Sequence, residues 1–341
     1  MVRLKDIAQR AGVSVMTISK ALRDAPDVSA ATKTRVKLLA QQLGYVPDSS
    51  AQGLRTRNTK LFGVVLPSCA DPFYARVILA LEERTYELGY DLLLTQSINI
   101  PEREEACIRR CLARRVEGLF VIPAYRAPVD GRLFAEVLAR GIPTVLLDHP
   151  LPHCTQFPYV HADDLLASYT GTQHLLRLGH RRIAFLAGTH GAPWAQERFE
   201  GYRRALREAG RDVDDRLVFL AGRSIEDGVN ATLQMLNEKC DITAVQAAND
   251  LIAVGCSEVL IKQGVRIPED VSIMGFGNIA LSEYCKVPLT TLGLPKYRLG
   301  EAGVGLMLQM LKGNNAESKR LPAELITRAS TGIPPATSFL E

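Results

Sequence analysis

The chain has 341 residues, more than one small domain needs, so we expect two or three domains. Hydrophobic residues make up 47% of the sequence, which is ordinary for a globular protein and enough for sizeable cores. No apolar run reaches membrane-spanning length, and charged residues stand where a signal peptide needs an apolar stretch, so a cytoplasmic protein is expected. The seven cysteines include no C-x-x-C pair and are expected to be buried thiols.

The formal net charge of +4 is unevenly distributed along the chain. Residues 1–60 contain eleven basic and four acidic side chains, whereas the remainder contains 30 basic and 33 acidic ones. A small basic domain followed by a mildly acidic body fits a head that binds a polyanion. A merely solvated basic face would give the same charge pattern, so charge alone does not decide between them.

The chain begins with two short helical patterns within residues 4–22, separated by a turn at Gly12. Ser14 can cap the second helix, because its hydroxyl can accept a hydrogen bond from an unpaired backbone N–H. A third helical pattern follows and ends at Gly44. Two helices joined by a short Gly-containing turn form the helix-turn-helix layout, whose second helix enters the DNA major groove. Residues 1–46 are therefore predicted to be an all-α DNA-binding headpiece.

Residues 47–60 connect this headpiece to the rest of the chain. Pro47 ends the preceding helix, and Asp48 could cap one or two further helical turns. Gly53 makes such a helix poor, at a cost of about 1 kcal/mol relative to Ala, and so short a helix should not be stable alone. Two interpretations stay open: a plain linker, or a hinge that becomes helical only on DNA.

From Leu61 onward, apolar strand patterns alternate with amphipathic helices. The predicted strands are 61–66, 91–95, 118–122, 143–148, 182–188, 217–220, 243–248, 271–276, 290–294 and 323–328. The predicted helices are 73–88, 102–115, 131–140, 163–178, 196–209, 226–237, 250–263 and 296–311. This alternation indicates two parallel sheets with helices on both faces. Ligands in such sheets bind beyond the C-terminal strand ends, which places a site in the cleft between two facing lobes.

We expect this α/β body to divide into two lobes at a Pro-rich joint near Pro150 and Pro158. The first lobe is predicted to comprise residues 61–160 and 292–322, and the second lobe residues 161–291 and 323–341. A hinged body of this kind can change the angle between its lobes when it closes on a ligand.

Several segments closely resemble the lactose-repressor (LacI/GalR-type) family of bacterial transcription regulators. In the headpiece they are KDIAQRAGVSVMTISKAL, VSAATKTRV and LGYVPDSSAQGLR, and in the body they include FGVVLPSCADPFYARV, LGHRRIAFLAG, ERFEGYRRAL, AANDLIAVG and PEDVSIMGFGN. The resemblance covers essentially the whole chain. It implies a two-lobed, periplasmic-binding-protein-like body and a homodimer whose headpieces read a pseudo-palindromic operator in double-stranded DNA.

The resemblance also implies which headpiece residues touch DNA. Val15 and Met16 hold the positions that read base edges, where apolar side chains favour contacts such as those with thymine methyls. Lys20 stands where a basic residue can reach guanine acceptors. The positions matching phosphate contacts are Ser14, Thr17, Ser19, Ser29, Thr32 and Tyr45, which would set register rather than sequence. Capping and surface polarity are the alternative roles for these six.

The connecting segment carries a further implied DNA contact. Leu54 matches the hinge leucine that wedges into the minor groove and kinks the DNA. Ala51 would let two hinge helices pack closely, whereas Asp48 replaces the more usual Asn.

In the body, the resemblance marks an effector cleft. The implied ligand-binding residues are Asp71, Phe73, Tyr74, Asp148, Arg198, Arg223, Asn249, Asp250 and Asn278. The aromatic rings could stack on a ring or sugar face, Arg198 would grip ligand oxygens, and Asn249 could bond to hydroxyls. Phe73 could instead belong to the core, and Asp250 could be a helix cap.

Two departures from the family pattern bear on the ligand. The run Gly275-Phe276-Gly277-Asn278 lacks the acidic residue that often binds sugar hydroxyls there, and Arg223 falls where many members have an aromatic residue. Because Arg pairs with carboxylate and phosphate, these changes favour a sugar acid or a phosphorylated sugar over a neutral sugar. Alternatively, Arg223 points to solvent or to Glu226.

The sequence thus predicts a transcriptional repressor of carbohydrate-utilisation genes, switched by a small effector bound between two lobes. The alternative is a solute-binding protein with the same body, which the headpiece and the missing signal peptide disfavour. No enzyme is expected, because the Ser, His and Asp residues lack a nucleophile-elbow context. No phosphate-binding glycine motif indicates a cofactor, and no metal site is expected, since Cys107 and Cys111 have no nearby His.

Overall fold

A computed structural model describes residues 2–46, 58–125, 132–151 and 154–335. The chain separates into two compact units, residues 1–59 and residues 60–341. The first unit contains the helices α1 (Leu4–Ala11), α2 (Val15–Leu22) and α3 (Ala30–Gln42). Ala51 and Leu54 lie outside the described residues, so the interpretation of the hinge stays a prediction.

The three helices of the headpiece pack around a very small core. Ile7, Ile18 and Val36 come from one helix each, and all three are fully buried. The turn between α1 and α2 depends on Gly12, whose φ of 64° is in the left-handed region that favours glycine. Ser14 caps α2, because its hydroxyl accepts a hydrogen bond of 3.1 Å from the Thr17 N–H. These contacts confirm the predicted helix-turn-helix geometry.

The first sheet of the body has six parallel strands in the order β11-β5-β4-β3-β1-β2. Its strands are β1 (Leu61–Leu66), β2 (Asp91–Gln96), β3 (Gly118–Val121), β4 (Thr144–Leu147), β5 (Tyr159–Ala162) and β11 (Lys319–Leu321). Its helices are α4 (Pro72–Glu87), α5 (Pro101–Ala113), α6 (Arg132–Ala139) and α12 (Lys296–Leu311). We call this sheet with its helices the first lobe.

The second sheet also has six strands, in the order β12-β10-β9-β8-β6-β7, and only β12 runs antiparallel to its neighbour. Its strands are β6 (Ile183–Ala187), β7 (Val218–Leu220), β8 (Ala244–Ala247), β9 (Ser272–Phe276), β10 (Thr290–Gly293) and β12 (Glu324–Ile326). Its helices are α7 (Asp164–Leu178), α8 (Pro193–Glu208), α9 (Ile225–Asn237), α10 (Asp250–Lys262) and the four-residue α11 (Leu281–Tyr284). We call this sheet with its helices the second lobe.

The chain passes between the lobes three times, after β5, after β10 and after β11. Helix α12 follows a second-lobe strand but contributes Leu299, Val304 and Met307 to the first-lobe core. Gly300 allows α12 to lie against α4, because a Cβ at this position would be 2.7 Å from the Ala80 Cβ. A body whose two lobes are joined by three such passages of the chain is suited to hinge movement of one lobe against the other.

Two strands were not predicted from the sequence. β5 lies in the stretch assigned to the Pro-rich joint, where Pro158 and the short run Tyr-Val-His-Ala hide the strand pattern. β11 is a three-residue edge strand whose Lys319 and Arg320 are exposed, so it has no apolar signature. Helix α8 begins at Pro193, three residues before the predicted start, because Pro is well suited to the first helical turn.

Within the part of the chain that the structure describes, no helix is both long and apolar enough to cross a membrane. None of the seven cysteines is in a disulfide, and five of them are buried, as expected for thiols.

Candidate functional site

Helix α2, the predicted recognition helix, presents apolar side chains to solvent. Val15 is 43% exposed and Met16 is 69% exposed, whereas Ile18 on the opposite face is fully buried. Apolar side chains exposed on the first turn of a helix add nothing to the headpiece core. They are available for the apolar base contacts predicted for these two positions.

The polar residues predicted to contact phosphates also act within the headpiece. The hydroxyls of Ser14 and Thr17 lie 2.9 Å apart at the start of α2, and those of Ser29 and Thr32 lie 2.9 Å apart at the start of α3. Both serines cap their helices. Because hydroxyls can rotate to a new partner, capping and phosphate contact are compatible at these helix N-termini.

Lys20, which is predicted to reach guanine acceptors, forms an ion pair within the headpiece. Its ammonium group pairs with Asp27, and both side chains are substantially exposed. The carbonyl of Ser19 accepts a hydrogen bond of 2.9 Å from the side chain of Arg23. An exposed ion pair contributes about 0–1 kcal/mol, so Lys20 could exchange Asp27 for a base at little cost.

A pocket lies between the lobes of the body, at the C-terminal ends of the parallel strands. Asp148 directly follows β4, Asn249 follows β8 and Phe276 ends β9. Eight of the nine predicted effector residues line this pocket: Asp71, Phe73, Tyr74, Asp148, Arg198, Arg223, Asn249 and Asp250. The other lining residues are Pro72, Trp194, Leu251, Phe276, Gly277, Ile279 and Leu294. We call this space the cleft pocket.

Asn278 is the exception among the predicted effector residues, and it is not one of the residues lining the cleft pocket. Its side-chain oxygen accepts a hydrogen bond of 2.8 Å from the guanidinium of Arg328. Its backbone N–H donates to the Thr291 hydroxyl at 3.3 Å. Asn278 lies in a turn with a φ of 51°, and its role in effector binding stays a prediction.

Arg198 lies in the wall of the pocket between two aromatic rings. Its guanidinium carbon is 3.8 Å from the ring centroid of Phe276 and 4.7 Å from that of Trp194. Its Nε donates to the Asp164 carboxylate at 2.8 Å, and its Nη1 donates to the Ala248 carbonyl. Burial raises the pKa of Asp164 to about 7, against the opposing effect of Arg198. The main partner of Arg198 in this geometry is therefore Asp164.

Arg223 joins the second lobe to the first. Its guanidinium pairs with the Asp71 carboxylate and donates a hydrogen bond of 3.1 Å to the Tyr125 hydroxyl. Burial disfavours the charged form, but Tyr74, Tyr125 and Asp71 together raise the pKa of Arg223. Neither alternative considered for this residue, solvent or Glu226, describes its position.

Tyr125 accepts a second hydrogen bond from the second lobe, because the Trp194 Nε1–H donates to its hydroxyl at 2.7 Å. We call the four residues Asp71, Tyr125, Trp194 and Arg223 the interlobe latch. The cleft pocket beside them has a volume of about 60 Å³, which corresponds to about two water molecules.

The sequence did not single out Tyr125 or Trp194. Tyr125 comes four residues after β3, so the rule that sites lie beyond strand ends could have identified it. A buried carboxylate supports its position, since Glu104 accepts a hydrogen bond from the neighbouring Ala124 N–H. Trp194 lies one helical turn before Arg198 on α8 and therefore shares its face.

Asn249 and Asp250 line the cleft pocket and also make hydrogen bonds within the second lobe. Asn249 caps α10, because its side-chain oxygen accepts from the Ile252 N–H at 2.8 Å. Asp250 accepts from the Thr291 hydroxyl at 2.6 Å and from the Ile279 N–H at 2.8 Å, and burial raises its pKa. The cap predicted as an alternative for Asp250 is therefore provided by Asn249.

Two aromatic residues at the start of α4 complete the cleft wall. Phe73 packs against the apolar cores of both lobes and so belongs partly to each. Tyr74 is buried, and its hydroxyl donates to Asp148 at 3.2 Å. Burial opposes ionisation of Asp148, but the neighbouring His149, Arg198 and Tyr74 together hold its pKa below the usual value.

This arrangement provides aromatic surfaces, carboxylates and amides around a small space, which is a set suited to binding a polar ring. Among the described residues, no group of three or more His, Cys, Asp or Glu side chains could hold a metal ion.

Comparison with known families agrees with both parts of the chain. Residues 3–48 match the family model described as bacterial regulatory proteins, lacI family. Residues 59–329 match the model described as periplasmic binding proteins and sugar binding domain of LacI family.

Characterised relatives are similar over nearly their full length. The HTH-type transcriptional repressor CytR of Escherichia coli K12 is 31% identical over 330 residues, which is 96% of either chain. The HTH-type transcriptional repressor PurR of Photobacterium profundum is 30% identical, covering 97% of this chain and 98% of its own. These relatives are transcription regulators and not enzymes, in agreement with the prediction.

Solved structures show the same fold. The lac repressor dimer bound to operator and the anti-inducer ONPF has a TM-score of 0.86 and 29% identity, covering 97% of this chain and 99% of its own. The complex of the regulator CelR with cellobiose has a TM-score of 0.72 and 30% identity, covering 97% and 100%. This chain belongs to the LacI family of DNA-binding transcription regulators.

Proposed function

We propose that this chain is a homodimeric repressor in the bacterial cytoplasm that binds a pseudo-palindromic operator and is switched by a small effector in the cleft pocket. The observation that carries the proposal is the convergence of eight predicted effector residues, from both lobes, on one pocket. Repressor activity is also what the printed names of CytR and PurR state for those relatives.

On the DNA side, Val15 and Met16 are the proposed base-reading residues, with Lys20 released from Asp27 to join them. The hydroxyls at the starts of α2 and α3, together with Ser19 and Tyr45, would set the register of the headpiece on phosphates. We further propose that Ala51 and Leu54 form the hinge predicted from the sequence.

For the effector, the ion pairs favour a neutral molecule over an anion. The two cations that line the cleft pocket, Arg198 and Arg223, are paired with Asp164 and Asp71. An anion would have to displace Asp71 from Arg223 and would then lie beside that carboxylate and Asp148. Because Arg223 is already paired with Asp71, it supports a sugar-acid effector less than its chemical type alone does.

A neutral ring with several hydroxyl groups fits the pocket better. Asp71 and Asp148 can accept hydrogen bonds from hydroxyls, and Phe73, Trp194 and Phe276 provide apolar faces. Cellobiose, the ligand in the similar CelR complex, belongs to this class. We propose a neutral sugar or a similarly hydroxylated ring, which is consistent with control of carbohydrate-utilisation genes.

The proposed mechanism couples two sites through the lobes. Effector entry has to exchange bonds of the interlobe latch for bonds to the ligand, and this changes the angle between the lobes. The first lobes of the dimer would then move and alter the geometry of the hinge. Couplings of this kind are typically 1–3 kcal/mol and are reciprocal between the two ligands.

The operator side is tested by selecting DNA from a random-sequence library with the full chain. Enrichment of a two-fold symmetric sequence is expected, and Met16→Ala should change the selected bases without unfolding the protein. If no sequence is enriched above the input library, the repressor assignment fails.

The effector side is tested by calorimetry with matched panels of neutral sugars, nucleosides and sugar acids. Binding of a neutral, hydroxylated ring is expected, with affinity reduced at least tenfold by Asp148→Asn. Tight binding confined to sugar acids would overturn the neutral-effector proposal and leave the DNA-binding proposal intact.

A further inference from the structure

A second cavity lies beside the cleft pocket and is much larger in this structure. It has a volume of about 650 Å³, within the range of small-molecule sites, against about 60 Å³ for the cleft pocket. Among the described residues, the two spaces share only Asp148 and Trp194. The Trp194 indole and the Asp148 carboxyl therefore form the partition between them. We call the larger space the flanking cavity.

Both lobes contribute polar side chains to the flanking cavity. His149 and His161 come from the first lobe, and Gln196 and Glu197 come from α8 of the second lobe. A molecule bound here would therefore contact both sides of the hinged body.

Two buried polar atoms at this cavity have no hydrogen-bond partner. His149 is 4% exposed, and its Nδ1 lies 3.5 Å from the Asp148 carboxylate without forming a hydrogen bond. Oε2 of Glu197 likewise forms no hydrogen bond, and its only ion pair among the described residues is with Arg320 at 3.6 Å. Buried groups of this kind are normally satisfied by the protein or by a bound molecule, because leaving them unpaired costs free energy.

The charged side chains that line the flanking cavity indicate which chemical group a bound molecule should have. Asp148, Asp164 and Glu197 line the cavity, and no lysine or arginine is among the described lining residues. Asp164 is already paired with Arg198 at 2.8 Å, whereas Glu197 has only a longer ion pair of 3.6 Å with the half-exposed Arg320. Asp148 accepts one hydrogen bond from Tyr74, so both Asp148 and Glu197 keep further acceptor positions on opposite lobes. Carboxylates and an imidazole nitrogen are complementary to a group that donates several hydrogen bonds, and an ammonium group donates three.

We propose that the flanking cavity is a second ligand site, distinct from the cleft pocket, that takes a small molecule carrying an ammonium group. The ammonium group bonds to Glu197 and to His149, next to Asp148. Because Trp194 belongs both to the partition and to the interlobe latch, a molecule bound at this site should change the fluorescence of the Trp194 indole.

The test uses ligand-observed NMR on the full chain with three matched pairs of probes. These are ethanolamine and ethylene glycol, putrescine and 1,4-butanediol, and glucosamine and glucose, so that each pair differs in amine against hydroxyl. At least one amine should bind at least tenfold more tightly than its hydroxyl partner. The fluorescence of Trp194, the single tryptophan of the chain, should change with the same midpoint.

Two variants locate the binding. Glu197→Gln keeps the shape of the side chain but removes its charge, and we expect at least a tenfold loss of amine affinity. Leu251→Ala changes a residue that lines the cleft pocket, lines no part of the flanking cavity and is not in the interlobe latch, so it should leave amine affinity unchanged. His149→Gln provides an independent second variant in the flanking cavity and should weaken the same amine.

Failure of every amine to bind, or amine affinity that is equal in Glu197→Gln and wild type, would overturn the proposal. Loss of amine binding in Leu251→Ala would assign the amine to the cleft pocket and would equally overturn a second site. Effector binding in the cleft pocket is measured separately with neutral rings, so either result leaves that proposal standing.

Discussion

The Trp194 indole of the second lobe donates a 2.7 Å hydrogen bond to the hydroxyl of Tyr125 in the first lobe. Arg223 donates to the same hydroxyl, so one first-lobe oxygen accepts two bonds from across the cleft. Together with the Arg223–Asp71 pair, these bonds hold the lobes together around a pocket too small for a sugar. The protein's own side chains thus join the lobes across the cleft, and an effector that binds as we propose would have to displace them.

The Tyr125→Phe variant tests the latch by removing two hydrogen bonds at no cost in ring packing. A typical hydrogen bond contributes about 0.5–1.5 kcal/mol, so the closed arrangement should lose roughly 1–3 kcal/mol. We expect the emission of Trp194 to shift to longer wavelength and its quenching by acrylamide to increase. Tyr86→Phe is the matched control, because Tyr86 is 75% exposed on the surface. Identical spectra for Tyr125→Phe and wild type would contradict the latch.

The Arg223–Asp71 ion pair should contribute to the free energy of unfolding, because it joins the two lobes directly across the cleft. Both side chains are largely buried, and a hydrogen bond to a charged group contributes about 1.5–3 kcal/mol. In a double-mutant cycle of Arg223→Gln and Asp71→Asn, denaturant unfolding should give a coupling free energy of at least about 1 kcal/mol. Strictly additive effects on the free energy of unfolding would show that the pair does not join the lobes.

Removal of Arg198 should destabilise the body, because it leaves Asp164 buried beside a low-dielectric wall without its partner. Loss of one partner of a buried ion pair typically costs about 3–5 kcal/mol. At pH 8, where Asp164 with its pKa of about 7 is ionised in the wild type, Arg198→Met should therefore lower the free energy of unfolding by an amount in this range, and adding Asp164→Leu should recover part of it. Arg203→Met is the control, since the contacts of Arg203 on the same helix, an ion pair with Glu200 and a position over the Phe199 ring, are at the surface. A loss below 1 kcal/mol for Arg198→Met would contradict the structural role of the pair.

Asp164 should also make stability depend on pH. Its pKa is raised from 3.8 to about 7 in the folded protein, so between these values the folded chain keeps a proton that the unfolded chain has lost. Stability contributed by the protonated group is therefore lost as the pH rises through this window. The stability of Asp164→Asn relative to wild type should increase from pH 4 to pH 7. A difference that is flat over this range would show that the pKa of Asp164 is not raised.

Met16→Ala should weaken operator binding without affecting the headpiece fold. The side chain is 69% exposed, so the variant leaves no cavity, whereas loss of a base contact typically costs about 1–3 kcal/mol. Leu38→Ala is the matched control, because Leu38 is exposed on α3 and is not among the predicted contacts. Anisotropy titrations at one fixed salt concentration should separate the two variants. Equal affinities would remove Met16 from the reading surface.

Most of the architecture follows from local sequence patterns. Long apolar runs such as Leu61–Leu66 and strongly amphipathic helices specify their own elements, and the strand-end rule places Asp148 and Asn249 at the cleft. Short or polar strands lack this information, which is why β5 and β11 were missed.

The partners within the site depend on contacts distant in sequence. Arg223 meets Asp71 across 152 positions and Tyr125 across 98, and no local pattern specifies either pairing. Chemical type alone suggested that Arg223 was available to an anion. The fold pairs Arg223 with the Asp71 carboxylate instead, and this pairing is the basis on which we propose a neutral effector.

The most direct test of the account is the operator dissociation constant at fixed salt, measured with and without a saturating neutral effector identified by calorimetry. For the wild type, the effector should change this constant by at least fivefold, as expected for a coupling of 1 kcal/mol or more. For Asp148→Asn, the effector-free constant should be retained, and the response should appear only at effector concentrations at least tenfold higher. An unchanged operator constant in the wild type, or an Asp148→Asn response at wild-type concentrations, would contradict a switch that works through the cleft pocket.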